Sequence, residues 1–363
     1  MKHPFRTLIP VPLLLSLLFS ACQTEDTASF SVKDQINASL ARASCVFDGD
    51  LYFISHQSTP LMKYDPDTNR ITLVCTKDRC DHTDETLCDS NASFFTYCVV
   101  TDGEAIYLSG ESFVDDVVRN CIYRFDARSQ SCVLLEDHAF VGGQTANLFQ
   151  LCDGQLYYMQ KYPTESAKFE DMSALYRKEI GTAAEPVLVL DEMPAYSCFA
   201  FDETGGYLTQ NAALTDENGE VLDDAAYWVS FAGDNETLVY LRLSGEVMLW
   251  DGTGEPVQIM PPTVGFVSFF GNSVYALDAG MGTADGEPYC IYRYDTVTQT
   301  TDTCLFELPV ERLRLIGVTE SGALLKDYTQ LDGIAYYFYS FETGEVTDVI
   351  YDLVVDEEHP LGY

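Results

Sequence analysis

A short phrase recurs along this chain, and its recurrence leaves few architectures open. Asp48-Gly49-Asp50-Leu51-Tyr52 returns as Asp102-Gly103-Glu104-Ala105-Ile106-Tyr107 and as Asp153-Gly154-Gln155-Leu156-Tyr157. Looser copies stand at Thr204-Gly205-Gly206-Tyr207, Asp234-Asn235-Glu236-Thr237-Leu238, Gly271-Asn272-Ser273-Val274-Tyr275 and Glu320-Ser321-Gly322-Ala323-Leu324. In each, turn formers run into an apolar, aromatic stretch that favours a strand. A second phrase follows each of the first three, as Leu61-Met62-Lys63-Tyr64-Asp65, Ile122-Tyr123-Arg124-Phe125-Asp126 and Leu175-Tyr176-Arg177-Lys178-Glu179. Its later copies are Val247-Met248-Leu249-Trp250-Asp251, Ile291-Tyr292-Arg293-Tyr294-Asp295 and Phe338-Tyr339-Ser340-Phe341-Glu342, with Ala212-Ala213-Leu214-Thr215-Asp216 as a degraded one. The closing acid can accept a hydrogen bond from its own backbone two residues on, which starts a hairpin turn.

These acids stand at 65, 126, 179, 216, 251, 295 and 342. Repeats of ~40–50 residues that cannot bury both faces alone stack radially into a propeller. The prediction is an all-β chain, a single β-propeller of seven blades, or of six if the fourth unit is an insertion. No convincing amphipathic helix follows the first residues. Each blade reads as strands A to D from the centre outward, with strand A at 44–47, 95–100 and 148–152 in the first three. The B–C connections vary most, being long at 109–120, 160–173 and 278–289 and minimal at Ser244-Gly245. B–C and D–A connections share one rim, and variable loops on one face are where binding concentrates. Any functional surface is therefore expected on that rim, around the central channel.

The head of the chain gives an address. Lys2 and Arg6 precede an apolar run from Leu8 to Phe19 that ends in Ser20-Ala21-Cys22. A charged start, a short apolar stretch and small residues before a cut make a secretory signal. The run is too short to cross a bilayer as a helix, which takes ~20 residues. Phe19-Ser20-Ala21-Cys22 resembles the lipobox of bacterial lipoproteins, with Phe19 where those usually have Leu. The resemblance implies diacylglycerol on Cys22, which becomes the mature N-terminus at the outer face of a bacterial membrane. The chain then divides into a signal peptide at 1–21, the lipidated cysteine and a polar tether at 22–41, and the propeller at 42–363. Part of the tether, 29–32, is an alternative outer strand.

Charge excludes some partners. With 57 acidic and 20 basic residues the net charge is −37, which repels nucleic acid and anionic lipid headgroups. The acidity is not a sign of disorder, because apolar residues make up 47% of the chain and aromatic residues 13%. No calcium loop of the Asp-x-Asp-x-Asp-Gly kind is present.

The most chemically distinctive segment holds Cys75, Cys80, His82 and Cys88, in the connection leaving the first blade. Three thiols and an imidazole could hold zinc as Cys3His, although the spacing differs from that of common fingers. In an oxidising compartment two of the thiols could instead staple the loop as a disulfide, and the sequence favours this reading over zinc. Cys121 and Cys132 could face each other across a hairpin, and Cys121 and Cys290 share a repeat position with Ala174 that suggests a small buried slot. A Cys-x4-Cys-x-His-x5-Cys segment early in a lipobox-bearing chain of seven Asp-Gly-x-Leu-Tyr units resembles the β-propeller lipoproteins of Clostridia-like Firmicutes. Some of these have a low-density-lipoprotein-receptor-like propeller domain of unknown function. The resemblance implies surface anchorage and a propeller; it implies no activity and brings no catalytic residue.

Nucleophile and metal-protease signatures are missing: there is no Gly-x-Ser-x-Gly and no His-Glu-x-x-His. The histidines beyond the signal peptide are His56, His82, His138 and His359. Asp115-Asp116, Asp223-Asp224 and Glu357-Glu358 read as solvated loop charges among too many acids for any pair to be diagnostic. The leading expectation is a surface-anchored binding or scaffolding module for a glycan, a cell-wall component or a protein, with Tyr162 and Tyr289 as rings that could either stack on a ligand or pack in the core. The alternative is an extracytoplasmic polysaccharide hydrolase or lyase using rim carboxylates. No cofactor is expected apart from the zinc reading.

Overall fold

The computed structural model describes residues 42–54, 61–74, 95–114, 117–129, 131–139, 148–162, 172–182, 184–194, 198–201, 205–232, 237–262, 266–278, 288–328 and 335–351. They form seven antiparallel sheets of four strands each, consecutive in sequence, and one further short strand. The fourth sheet is complete, so the six-blade alternative falls.

Strands A to D of blade 1 are Ser44–Phe47, Asp50–Ile54, Leu61–Asp65 and Arg70–Leu73; those of blade 2 are Phe95–Thr101, Ile106–Val114, Val117–Asp126 and Ser131–Ala139. Blade 3 has Phe149–Cys152, Gln155–Tyr162, Met172–Glu179 and Val187–Pro194, and blade 4 has Cys198–Phe201, Gly206–Gln210, Ala213–Asp216 and Val221–Asp223. Blade 5 has Ala226–Phe231, Leu238–Arg242, Val247–Trp250 and Val257–Met260; blade 6 has Val267–Phe270, Ser273–Asp278, Tyr289–Asp295 and Thr300–Phe306. Blade 7 has Leu313–Val318, Gly322–Asp327, Ala335–Ser340 and Val346–Asp348.

Burial falls from the axis outward. Strand A of blades 1, 3 and 4 is buried at every residue, whereas strand D of blade 6 is mostly exposed. Sheets apolar on both faces must pack against a neighbour on each side, and they do. Apolar clusters join blades 1, 2 and 3, then 3 with 4, 4 with 5, 5 with 6, 6 with 7 and 7 with 1.

The repeated phrases do the local work expected of them. Asp48 and Gly49 have φ of 51° and 89°, and Asp153 and Gly154 have 49° and 70°, as a two-residue turn with positive φ at both centres requires. The closing acids Asp65, Asp126 and Asp295 each accept backbone N–H bonds two and three residues on, at 2.8–3.2 Å. Asp216 and Asp251 do the same for Asn218 and Thr253. Blade 7 departs from the pattern. Its strand C ends at Ser340, whose hydroxyl accepts from Thr343 N, so Ser340 and not Glu342 starts the turn.

The expected loop of blade 2 is largely ladder, and that of blade 3 is shortened by ladder at both ends. In blade 2, strands B and C stay paired out to Val114 and Val117, and in blade 3 out to Tyr162 and Met172. β-branched and aromatic residues such as Phe113, Val114, Val117 and Val118 continue the pairing where a loop was expected.

The ring closes by a strand added to the outside of blade 1. Ile350–Tyr351 pairs parallel to Arg70–Leu73. Ile350 N donates to Asn69 O at 3.0 Å, and Asn69 Nδ2 donates to Asp348 O at 2.8 Å. Blade 7 is thereby tied to blade 1 by main chain as well as by side chains.

Candidate functional site

Strands A and C begin, and strands B and D end, at the same end of the ring. That end carries the D–A and B–C connections and is the rim singled out by the sequence. Three cations gather at it.

Arg42 precedes strand A of blade 1 and is fully buried, with φ of 53°. Its carbonyl accepts from Val99 N of blade 2 at 2.8 Å. Its Nη1 donates to Phe149 O of blade 3 at 2.8 Å, its Nη2 donates to Phe199 O of blade 4, and its Cζ lies 4.8 Å from the Phe199 ring centroid. Blade 4 faces blade 1 across the axis of a seven-bladed ring, so the side chain crosses the channel at this level. Among the described residues its Nε has no partner.

Arg314 and Lys326 lie on blade 7 at the same height. Ser44 Oγ donates to Ile316 O at 2.8 Å, and Arg42 and Arg314 each precede that bonded pair by two residues. A bulge brings Arg314 and Lys326 together. Near the A–B turn Val318 pairs with Ala323 and Gly317 with Leu324; beyond the shift Leu315 pairs with Leu325, Arg314 with Lys326 and Leu313 with Asp327. Had the ladder run on without the shift, Arg314 would face Asp327. Ile316 is the extra residue, and its side chain packs into the core between blades 7 and 1. The bulge is fixed by close approach: a Cβ on Gly317 would stand 2.7 Å from Leu51 Cδ1 and 2.9 Å from Ser44 Oγ.

Aromatic rings line the pair. Arg314 Cζ is 3.2 Å from the Phe266 centroid, and its Nη1 donates to Tyr328 Oη at 2.9 Å. Lys326 Nζ lies 4.6 Å from the Tyr328 centroid and 5.9 Å from that of Tyr336. Burial lowers the Lys326 pKa to about 8, with the Arg314 charge adding to the effect. Burial also lowers Arg314, against the opposing pull of Tyr328. Among the described residues no carboxylate pairs with Arg314. Lys326 is 7% exposed, while Arg314, Phe266 and Tyr328 are half-buried.

The residues picked from sequence fare differently. Cys22, Cys75, Cys80, His82 and Cys88 lie outside the described residues, as do Asp115-Asp116, Glu357-Glu358 and the side chain of Tyr162. Of the two readings open for Tyr289 the structure selects the core: it is 1% exposed, stacks on Phe306 and donates to Val310 O at 2.7 Å, so it cannot receive a ligand. Asp223 is corrected, from solvated charge to buried anchor. It accepts from Arg242, from Tyr240 Oη at 2.8 Å and from Ala225 N at 2.9 Å. Cys121 and Cys132 do not face each other, because Cys132 lies opposite Phe125 and Cys121 opposite Asp137. The shared buried slot is present, with Cys121, Cys290 and Ala174 all 3% exposed or less. Burial pushes the Cys45 thiol well up and that of Cys98 to about 12, which makes both poor nucleophiles. Among the described residues no group of three or more His, Cys, Asp or Glu is placed to hold a metal.

Sequence reasoning missed Arg42, Arg314 and Lys326. The available signal was a cation inside apolar strand phrases, Leu313-Arg314-Leu315 and Leu325-Lys326, in a chain poor in cations.

No protein-family model and no curated protein matches the chain. Among solved structures, a prolyl endopeptidase is similar at 12% identity and a TM-score of 0.52, over 88% of this chain and 50% of that one. The chain thus spans half the length of that peptidase. A protein from Bacteroides fragilis assigned as a 6-phosphogluconolactonase is similar at 13% identity and a TM-score of 0.50, over 83% of this chain and 94% of that one. At such identity the likeness shows the fold alone: the chain is a seven-bladed β-propeller.

Proposed function

We propose that this propeller is a binding module, held at the outer face of a bacterial membrane by lipid on Cys22, that presents its B–C and D–A rim to a glycan, a cell-wall component or a protein. One observation carries the reading. Buried Arg42 crosses the channel to bond blades 3 and 4, which favours recognition at the surface of the rim end, where Arg314, Lys326 and their rings lie. Closure by main chain and by six apolar clusters gives that surface a stiff support.

Two measurements test it. A glycan and cell-wall-fragment screen, run beside cross-linked pull-down from the native surface, is expected to return a saturable ligand. Silence in both would overturn the binding role. Metabolic labelling with a fatty-acid analogue is expected to mark the wild type and to be lost in Cys22→Ala. Label retained in that variant would remove the anchor.

A further inference from the structure

We propose that Tyr227, at the rim end of blade 5, is the platform of a binding site for an uncharged sugar ring of a glycan. The proposal rests on the binding reading above and names the class of ligand the rim takes.

The starting point is an exposed ring where the fold has no use for one. The inner strands of a propeller pack against a neighbour on each side. Among the described residues of the seven strands A, only Tyr227 is exposed, at 39%. A bulge puts it there. Ala226 pairs with Arg242 and Trp228 with Leu241, so Tyr227 is the extra residue. Straight pairing would set Tyr227 opposite Arg242; the shift gives that place to Ala226 and turns Tyr227 out of the ladder. Bulges of this kind re-aim side chains beside functional sites.

The bulge is braced from both sides. Thr209 Oγ1 of blade 4 donates to Tyr227 O at 3.1 Å. Leu243 N donates to Ala225 O at 2.7 Å, and Ala225 N donates to Asp223, which Tyr240 and Arg242 hold in turn. Trp228 stands against the Tyr227 ring, with centroids 6.1 Å apart and 63° between the planes. These contacts set the ring in place before a ligand arrives.

The surroundings fit a sugar. Blade 4 joins its strands B and C by Asn211-Ala212 alone and blade 5 by Leu243 to Glu246, whereas blades 3 and 6 on either side have 163–171 and 279–288 there. Tyr227 thus lies where the rim carries least chain, open to a ligand longer than one ring. Among the described residues the exposed large apolar side chains at this opening are Tyr227 and Leu243. Two side chains fall far short of the ~800 Å² that each partner gives to a stable protein interface. They match the apolar face of one pyranose, whose C–H groups lie against the negative face of an aromatic ring. Asn211, two residues past Thr209, and Asp224, three before Tyr227, are exposed and offer an amide and a carboxylate to the hydroxyl groups at the sugar's edge. A net charge of −37 repels uronates and phosphates, so the sugar is uncharged.

Calorimetry on the full mature chain with cellohexaose, maltohexaose, xylohexaose and chitohexaose tests the proposal. Saturable binding of at least one is expected. Tyr227→Ala is expected to weaken it at least tenfold and Tyr227→Phe less than threefold, while Val297→Ala, in the C–D turn at the opposite end of the ring, leaves it unaltered. Trp250→Phe leaves Trp228, beside Tyr227, as the one tryptophan, and its emission is expected to change as the sugar binds. Thermal melts accompany each variant. Should Tyr227→Ala fail to fold, exposed Leu243→Asp decides, with an expected loss of at least fivefold. No binding of any of the four sugars, or affinity unaltered in Tyr227→Ala, would overturn the proposal. A lysine-rich peptide that binds through Tyr227 where the sugars do not would overturn it too. If acidic cell-wall fragments or surface proteins bind in the broader screen and still bind Tyr227→Ala, the binding role stands and this site alone falls.

Discussion

Replacing Lys326 with Met tests whether a charge is being held there against the interest of stability. Lys326 is 7% exposed, beside Arg314 on one ladder and against Tyr328 and Tyr336, and its pKa falls from 10.5 to about 8. The unfolded chain therefore binds this proton more tightly than the folded one. Below the folded value both states are protonated and the whole penalty is felt; it fades as pH rises towards the unfolded value, so this group makes stability increase with pH. At about 1.36 kcal/mol per pH unit the gap amounts to about 3 kcal/mol, which we discount to about 2 because half-buried Tyr328 leaves solvent nearby. Lys326→Met keeps the stem and removes the charge. It is expected to gain about 2 kcal/mol near pH 7, with about half of that gain gone by about pH 9. Urea denaturation followed by intrinsic fluorescence at several pH values measures it. The difference between the two proteins is the quantity to read, because buried thiols and tyrosines titrate alike in both. A variant no more stable than the wild type near neutrality, or a gain that stays constant with pH, would refute the reasoning.

Other outcomes follow from the same geometry. Ala212 sits at φ 65° beside Asn211 at 50° in the B–C turn of blade 4; Ala212→Gly is expected to raise stability by about 0.5–1 kcal/mol in chemical denaturation. Arg42→Met removes two charge-assisted bonds across the channel and is expected to cost about 2–4 kcal/mol, so a loss below about 1 kcal/mol would show that the crossing is not a tie. Burial alone would raise the Asp223 pKa, but Arg242, Ala225 N–H and Tyr240 outweigh it and hold the value low. The stability it gives is present above the free carboxylate value and lost as pH falls through the folded one. Asp223→Asn should therefore lose about 3 kcal/mol at neutral pH and show a flatter acid limb in pH-dependent melts.

The architecture was legible because its signals are local. Asp48-Gly49 dictates a turn within two residues, and Asp65, Asp126 and Asp295 dictate another within three. Repetition of those signals gave the blade count even where the fourth unit is worn down to Ala213–Asp216. Blade 7 slipped by two residues because Ser340 supplies the same hydrogen bond as an acid would. The cation pair was not legible. Counting back from the turn at Glu320-Ser321 sets Arg314 opposite Asp327, which reads as a harmless ion pair. The shift that undoes it comes from Ser44 and Leu51, which belong to the first blade and meet Gly317 only when the ring is complete. Arg42 was hidden for the same reason, since its partners Phe149 and Phe199 are remote in sequence. Asp223 misled because a polar residue beside a loop reads as exposed until the tertiary partners are known.

Blade 1 leaves the ribosome first, yet its outermost strand is Ile350–Tyr351. While six more blades are translated, the Arg70–Leu73 edge has no neighbour on its open side, and a bare edge is a template for mispairing between nascent chains. A chain stalled before residue 350 would thus expose its hazard in its oldest part, and Ile350–Tyr351, the last of the described strands, is the one that removes it.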